Sequence, residues 1–88
     1  MNYEEVSLEV RKILAKELNL EINKINLNSD LVSDLGIDSF SSIEVVFELE
    51  ESFKIKISDA EIVKAKIVKD IVDYVTTQIN AKVNSQTI

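Results

Sequence analysis

The stretch Asp34–Phe53 reads Asp-Leu-Gly-Ile-Asp-Ser-Phe-Ser-Ser-Ile-Glu-Val-Val-Phe-Glu-Leu-Glu-Glu-Ser-Phe and decides the fold. Its apolar residues recur at helical spacing, which predicts a helix over about 39–53. Asp38 is the expected N-cap, because a carboxylate there accepts hydrogen bonds from first-turn N–H groups. Gly36 enters positive φ at no steric cost, which suits a turn before the helix. The pattern therefore places Ser39 at the start of a helix.

This helix carries two apolar stripes. At 100° per residue, one side collects Val45, Val46, Leu49 and Phe53. A second side, roughly 120° away, collects Phe40, Ile43 and Phe47. A helix in a small bundle needs only one buried stripe. The second stripe is therefore either packed under the neighbouring loop or exposed as an interaction surface, and the pattern favours neither.

The rest of the chain is also helical in pattern. Amphipathic spacing predicts a first helix over about 3–18, a short third helix over about 59–65 and a fourth over about 68–82. A long loop over about 19–38 joins the first two helices, and 84–88 is expected to be a frayed tail. We therefore expect an all-α fold: a small four-helix bundle of three longer helices and a short third helix.

Two connections carry regularly placed apolar residues. In the long loop the candidate anchors onto the core are Ile22, Ile25, Leu27, Leu31, Val32, Leu35 and Ile37. The segment 54–57 reads Lys-Ile-Lys-Ile, an alternation that could form one strand. Because nothing nearby supplies a partner strand, we interpret this segment as an extended connection.

The composition excludes several functional classes. The 88 residues fit one domain, contain 10 basic against 16 acidic side chains, and include no Cys, His or Pro. Without Cys or His there is no disulfide, no thiolate nucleophile, no zinc motif and no His-based triad. The acidic excess argues against nucleic acid, and the apolar runs are too short to span a membrane. We expect an intracellular protein that is not an enzyme and has no metal site.

Charge is unevenly distributed along the chain. The stretch 25–53 holds no Lys or Arg but seven acids, namely Asp30, Asp34, Asp38, Glu44, Glu48, Glu50 and Glu51. The sign reverses over 54–69, where five Lys face two acids. Such a run is usually a solvated face, but it also produces a field that steers basic partners.

Ser39 allows two interpretations. Ser and Asp are favoured at helix starts, so the pair Asp38-Ser39 could be a simple capping cluster. Alternatively, Ser39 presents an exposed hydroxyl where the positive end of the helix favours a phosphate.

The triplet Asp38-Ser39-Phe40, preceded by Leu35-Gly36-Ile37, resembles the signature of the acyl carrier proteins. That signature is Asp-Ser-Leu at the start of the second helix after Leu-Gly-X. The resemblance continues through Ile57-Ser58-Asp59 and through Asp70-Ile-Val-Asp-Tyr-Val75, and it covers about 3–80. It implies an acyl carrier domain over 1–83.

The resemblance implies that Ser39 carries 4′-phosphopantetheine, placed there from coenzyme A by a phosphopantetheinyl transferase. The thiol of that arm would hold acyl groups as thioesters. Asp38 would cap the helix and contact the transferase. The protein would be a cytoplasmic monomer that serves acyl-transferring and acyl-modifying enzymes of fatty acid or related lipid biosynthesis.

The resemblance also implies two residue sets. Arg and Lys of basic patches on partner enzymes would meet Glu44, Glu50 and Glu51. The apolar contact stripe for the same partners would be Phe40, Ile43 and Phe47. The acyl chain would be sheltered by Val46, Leu49, Phe53, Ala65 and Val68.

Several positions depart from the family pattern. The usual Leu after the Ser is Phe40, the usual acid two residues after it is Ser41, and the usual Met of the contact stripe is Phe47. The third helix carries Lys64 and Lys66 where acids are typical. Two alternatives therefore stay open: a specialised carrier of polyketide, aminoacyl or peptidyl intermediates, and a helical interaction module without a prosthetic group.

Overall fold

Over residues 2–86 the chain folds into four α-helices, which confirms the expected all-α architecture. The computed structural model describes the backbone of 2–86 and the side chains of 2–58 and 60–81. The helices are α1 Tyr3–Leu18, α2 Ser39–Phe53, α3 Asp59–Ile62 and α4 Val68–Gln86. Their ends agree with the sequence pattern for α1 and α2 and differ for α3 and α4.

Helix α1 is bounded by local capping at both ends. The Asn2 side chain accepts a hydrogen bond from the Glu5 N–H (2.8 Å), and the Glu5 carboxylate accepts one from the Asn2 N–H (3.0 Å). This reciprocal pair is a capping box, which satisfies two backbone donors at once. Asn19 ends the helix in the left-handed conformation, where its N–H donates to the Ala15 carbonyl.

One hydrophobic core holds the bundle together. Helix α1 packs against both α2 and α4. The buried side chains of the core are Val6, Val10, Ile13, Leu14, Ile25, Leu31, Leu35, Val45, Leu49, Phe53, Ile55, Ile57, Val68, Ile71, Val72 and Val75. Burial of this apolar area is the main force that stabilises the domain.

The long loop is anchored on this core, as its apolar residues predict. Ile25, Leu31 and Leu35 are buried. The loop also forms a single 3-10 turn at Ile22–Lys24, which the sequence pattern did not indicate. Val32 was expected to be an anchor, but the prediction was wrong: its side chain is 67% exposed.

The physical reason for the exposure of Val32 is the tight turn around it. The Val32 carbonyl accepts a hydrogen bond from the Gly36 N–H (2.9 Å). Leu31 and Leu35 on either side of it occupy the inward positions of the turn, so the side chain between them is left outside.

Helix α3 is shorter than predicted, and the chain after it pairs with the long loop. The Lys66 carbonyl accepts from the Leu31 N–H (2.9 Å), and the Val68 N–H donates to the Ser29 carbonyl (3.1 Å). These bonds accompany an isolated antiparallel β-bridge between Asp30 and Ile67. Between α3 and this bridge, the Lys64 and Ala65 N–H groups donate to carbonyls only three residues back, so the α-helical pattern ends at Ile62.

The alternation predicts an extended connection over 54–57, but Lys54 is not extended: it ends α2 in the left-handed conformation with a φ of 55°. Ile55 and Ile57 are buried, and Lys54 and Lys56 are exposed. Two apolar side chains that point inward at every second position fit an extended backbone.

Helix α4 continues to Gln86, beyond the end predicted near 82. No Gly or Pro interrupts the sequence there, so no residue type stops the helix. Residues 87–88 of the expected tail lie outside the described residues. Within 2–86, none of the helices combines the length and apolar character needed to cross a bilayer.

Candidate functional site

Ser39 is the first residue of α2, and its side chain is exposed. The neighbouring cap is formed by two other side chains. The Asp38 carboxylate accepts from the Ser41 N–H (2.8 Å), and the Ser41 hydroxyl oxygen accepts from the Asp38 N–H (2.9 Å). This reciprocal pair caps the helix without the Ser39 hydroxyl. The geometry therefore favours the interpretation in which that hydroxyl is presented to solvent.

The capping role of Ser41 is not among the sequence-based predictions, in which this residue is only a departure from the family pattern. The usable signal was the spacing Asp-x-x-Ser, in which a polar side chain three residues after the N-cap can reach back to it. Ser41 thus completes the cap of α2.

The cap also controls the ionisation of Asp38. The Ser41 N–H, and after it the Ser41 hydroxyl, hold the pKa of the Asp38 carboxyl below its usual value. Hydrogen bonds to the charged form favour that form. Asp38 is therefore a carboxylate at neutral pH, directly before the exposed hydroxyl.

A tight turn leads the chain into this helix end. The Asp30 carboxylate accepts from the N–H groups of Val32 (2.9 Å) and Ser33 (2.8 Å), and Gly36 takes a φ of 72°. A non-glycine residue would be strained at this φ. The Ser33 N–H and hydroxyl, as the largest causes, lower the pKa of Asp30. The turn thus fixes the approach of the chain to Ser39.

The acids of this turn are not arranged as a metal site. Asp34 accepts from the Asp30 N–H (2.7 Å), so both side chains bind backbone within the turn. Over the described part of the chain, no group of three or more acidic side chains is placed to hold a metal ion.

Ser39 fits a phosphate-linked group on three observations. Its side chain is exposed, it stands in the first turn of a 15-residue helix, and the cap beside it uses other side chains. The N-terminal end of a helix carries partial positive charge, which stabilises a phosphodiester attached there.

The second apolar stripe of α2 is exposed. Phe40 is 71% exposed, Ile43 69% and Phe47 59%, whereas Val45 and Leu49 are buried. The alternative in which this stripe packs under the long loop is therefore wrong. An exposed row of large apolar side chains is typical of an interaction surface.

The acids around that stripe differ in their exposure and in their interaction partners. Glu44 and Glu51 are exposed. Glu50 is half-buried, and its carboxylate accepts from the Ile57 N–H (2.9 Å). Glu48 lies 3.7 Å from the Lys16 ammonium. Of the acids near the stripe, Glu50 therefore also has a structural role that the sequence pattern did not indicate.

The five residues expected to shelter an acyl chain come together in the core. Leu49, Phe53 and Val68 are buried in it, and Val46 and Ala65 pack half-buried against it. They belong to α2, α4 and the segment after α3.

Comparisons with known proteins agree with this geometry. A family profile described as "Phosphopantetheine attachment site" matches 9–75. The acyl carrier protein of Phytoplasma mali is 38% identical over 72 residues, which cover 82% of this chain and 86% of that protein. The acyl carrier protein of Exiguobacterium sibiricum is 35% identical over 79 residues, which cover 90% of this chain and all of that protein.

A third relative, the acyl carrier protein of Onion yellows phytoplasma, is 40% identical over 68 residues. Those residues cover 77% of this chain and 90% of that protein. The family match sets aside an interaction module without a prosthetic group. The chain belongs to the acyl carrier proteins, which are carriers rather than enzymes and which use 4′-phosphopantetheine.

Proposed function

We propose that Ser39 is the residue to which 4′-phosphopantetheine is attached. The observation that carries this proposal is the exposed Ser39 side chain at the first residue of α2, next to a cap made by Asp38 and Ser41. The Ser39 oxygen forms a bond to the phosphorus of the arm as the pyrophosphate linkage of coenzyme A breaks. Adenosine 3′,5′-bisphosphate is the leaving group, and the hydroxyl proton is released.

The chain's own residues prepare this position. The N–H groups at the start of α2 offset the negative charge of a phosphodiester. The Asp38–Ser41 pair holds the first helical turn in place, which fixes the direction of the Ser39 side chain. Asp38 is also the proposed contact of the phosphopantetheinyl transferase. When the arm is present, its thiol supplies the thioester chemistry that this Cys-free chain lacks.

Partner enzymes are proposed to dock on the exposed face of α2. Phe40, Ile43 and Phe47 supply its apolar contact. The negative charge comes from the exposed Glu44 and Glu51 and from Glu50. Glu50 is half-buried and accepts a hydrogen bond from the Ile57 N–H. Complementary charge raises the rate of encounter with a basic patch and selects its orientation.

The proposed cargo is an acyl intermediate of fatty acid or related lipid biosynthesis. Its chain would enter among Val46, Leu49, Phe53, Ala65 and Val68, which already share one apolar core. We place the carrier domain at 1–83 and propose that it works as a cytoplasmic monomer.

A specialised carrier of polyketide, aminoacyl or peptidyl intermediates is the second candidate. It is favoured by the surface after α3, where Val63 is 77% exposed and is followed by the exposed residues Lys64 and Lys66. An apolar and basic surface there suits partners that differ from those of an acidic third helix.

The attachment test uses the absence of Cys. The apo chain is incubated with coenzyme A and a broad-specificity phosphopantetheinyl transferase, and intact mass and thiol content are measured. We expect a mass gain and one thiol for each chain, and neither in Ser39→Ala. Ser42→Ala, which changes a hydroxyl in the same helical turn, serves as the matched control. No gain in the parent chain, or a gain that persists in Ser39→Ala, contradicts the proposal.

The cargo is identified separately. Protein isolated from its native cells is analysed by mass spectrometry for the acyl group on its thioester. A fatty acyl chain supports the first candidate, and an aminoacyl, peptidyl or polyketide group supports the second.

A further inference from the structure

A groove of about 690 Å³ lies at the C-terminal end of α2, between this helix, the segment 54–57 and α4. Phe47, Glu50 and Glu51 line it from α2, and the same three residues belong to the proposed docking face. The groove is therefore continuous with that face. A partner enzyme that covers the end of α2 also meets the side chains on the other side of the groove.

Those further side chains bring positive charge to the end of the docking face. Lys54 and Lys56 line the groove, and both are exposed. Among the side chains that the structure describes, Lys56 forms no ion pair. Its charge is therefore presented to any surface that approaches the end of α2.

The acids of the groove offset this charge without exceeding it. Glu51 is exposed, whereas Glu50 is half-buried and accepts a hydrogen bond from the Ile57 N–H (2.9 Å). Part of the acceptor capacity of Glu50 is thus used within the fold. A basic surface placed over the groove would meet as many ammonium groups as carboxylates.

The rest of the docking face has one sign of charge. Helix α2 contains no Lys or Arg. Glu44 is exposed and lies seven residues before Glu51, which is about 10 Å along the axis of an α-helix. The face is therefore acidic along α2 and mixed in sign where α2 ends.

We propose that Lys56 determines which partner enzymes dock on α2. A partner fits when its cations lie opposite Glu44 and Glu51 and it places a carboxylate beside Lys56. A partner whose basic patch continues past the end of α2 is repelled there, because like charges brought together in an interface oppose binding. This inference rests on the proposed docking face and names the charge pattern of the enzymes that fit it.

The test measures docking without attachment. The full apo chain is titrated into a broad-specificity phosphopantetheinyl transferase with a basic docking surface, in the absence of coenzyme A. Isothermal titration calorimetry gives the dissociation constant at low and at high NaCl concentration. Lys56→Glu should bind about three- to tenfold more tightly than the parent at low salt, with Lys56→Gln between the two, because the repulsion is removed. High salt should reduce this gain, since it screens exposed charges.

Lys24→Glu is the matched control. It reverses the charge of an exposed lysine in the 3-10 turn, outside the groove, and changes the net charge by the same amount. We expect it to bind nearly as the parent does. Unchanged or weaker binding of Lys56→Glu overturns the proposal, and so does an equal gain in Lys24→Glu, which would assign the effect to net charge. Lys56 is exposed, and thermal unfolding checks that its variants remain folded.

Glu51→Gln separates the role of Lys56 from the docking face itself. If Glu51→Gln weakens binding and Lys56→Glu does not strengthen it, the face is used for docking and only the role of Lys56 is overturned. If neither variant changes the dissociation constant, both proposals are overturned. Attachment at Ser39 is measured separately, as the mass gain after coenzyme A is added.

Discussion

Asp38 and Ser41 hold the first turn of α2 through two reciprocal hydrogen bonds, while Ser39 between them is exposed. Asp38 and Ser41 thus cap the helix, whereas the Ser39 side chain takes no part in this pair of hydrogen bonds. The capping pair stabilises the helix end, and the residue that is not needed for capping is available for covalent attachment. The proposed attachment at Ser39 would therefore leave the hydrogen bonds of the cap intact.

Replacement of the cap is expected to lower stability. Asp38→Ala should reduce the melting temperature by about 4–8 °C, a typical consequence of a lost N-cap in a domain of this size. Asp38→Asn keeps a side-chain oxygen that can accept from Ser41 N–H, so it should lose much less. Thermal unfolding followed by circular dichroism measures both. Equal losses in the two variants would mean that the charge of Asp38, rather than its hydrogen bond, stabilises the helix.

Asp73 joins α4 to the start of α1. Its carboxylate accepts from the Lys69 ammonium (2.8 Å) and from the Tyr3 hydroxyl (2.7 Å). The bond from Lys69, followed by the bond from Tyr3, lowers the pKa of Asp73. The native state therefore favours the ionised carboxylate more than the unfolded chain does.

This linkage predicts a pH dependence. Because the native pKa of Asp73 lies below its unfolded value, the stabilisation is complete above about pH 4 and is lost as pH falls through the native pKa. Asp73→Asn should cost about 0.5 kcal/mol at pH 7, a small value because the side chain is 45% exposed. Urea unfolding at several pH values should show the gap to the parent closing in acid. A gap that stays open in acid would contradict this linkage.

At the scale of an element, α2 presents one buried and one exposed apolar stripe. Leu49 has no exposed surface, whereas Phe47, two residues earlier, is 59% exposed. Both are large and apolar, so composition does not distinguish them. Their contributions to stability should differ because only Leu49 leaves water on folding.

Alanine substitutions on the two stripes test this difference. Leu49→Ala should lower the free energy of unfolding by about 2–5 kcal/mol, through lost burial and a cavity. Phe47→Ala should change it by no more than about 0.5 kcal/mol, as a surface substitution does. Urea unfolding provides the measurement. A large loss in Phe47→Ala would place that ring in the core and contradict an exposed contact stripe.

Glu50 connects α2 to the extended segment before α3, through its bond to the Ile57 N–H. Glu50→Ala should cost about 1 kcal/mol of unfolding free energy, the usual value for a partly exposed hydrogen bond. Glu50→Gln keeps an acceptor and should cost less. Glu51→Ala, which removes an exposed acid next to it, is the control and should be nearly neutral. A neutral Glu50→Ala would show that this bond does not stabilise the fold.

For the whole molecule, the net charge of −6 opposes the compact state. The ion pairs Lys16–Glu48, Glu61–Lys64 and Lys69–Asp73 lie at the surface. Such pairs contribute little to stability, so the acidic excess remains largely uncompensated.

Salt should therefore stabilise this protein. From about 10 to 150 mM NaCl the Debye length falls from about 30 to 8 Å, which screens repulsion between exposed acids. We expect the melting temperature to rise over this range, and to rise less in a Glu4→Gln, Glu51→Gln double variant. A melting temperature independent of salt would contradict a role for self-repulsion.

Much of the fold follows from local signals. The sequence predicts the apolar spacing of α1 and α2 and the capping carboxylate before Ser39. Each of these features involves residues within a few positions of each other. No local pattern predicts the β-bridge that follows α3. It depends on hydrogen bonds between 66–68 and 29–31, which are far apart in the chain.

The amino-acid sequence by itself determined where α1 and α2 begin and end, and that a serine opens α2. Helix formation and capping act over one or two turns, and all their participants are neighbours in the chain. Only the tertiary structure decided that the Phe40 stripe is exposed and that 66–68 pairs with 29–31. Burial and long-range hydrogen bonds depend on which distant segments pack together, and no local pattern encodes that.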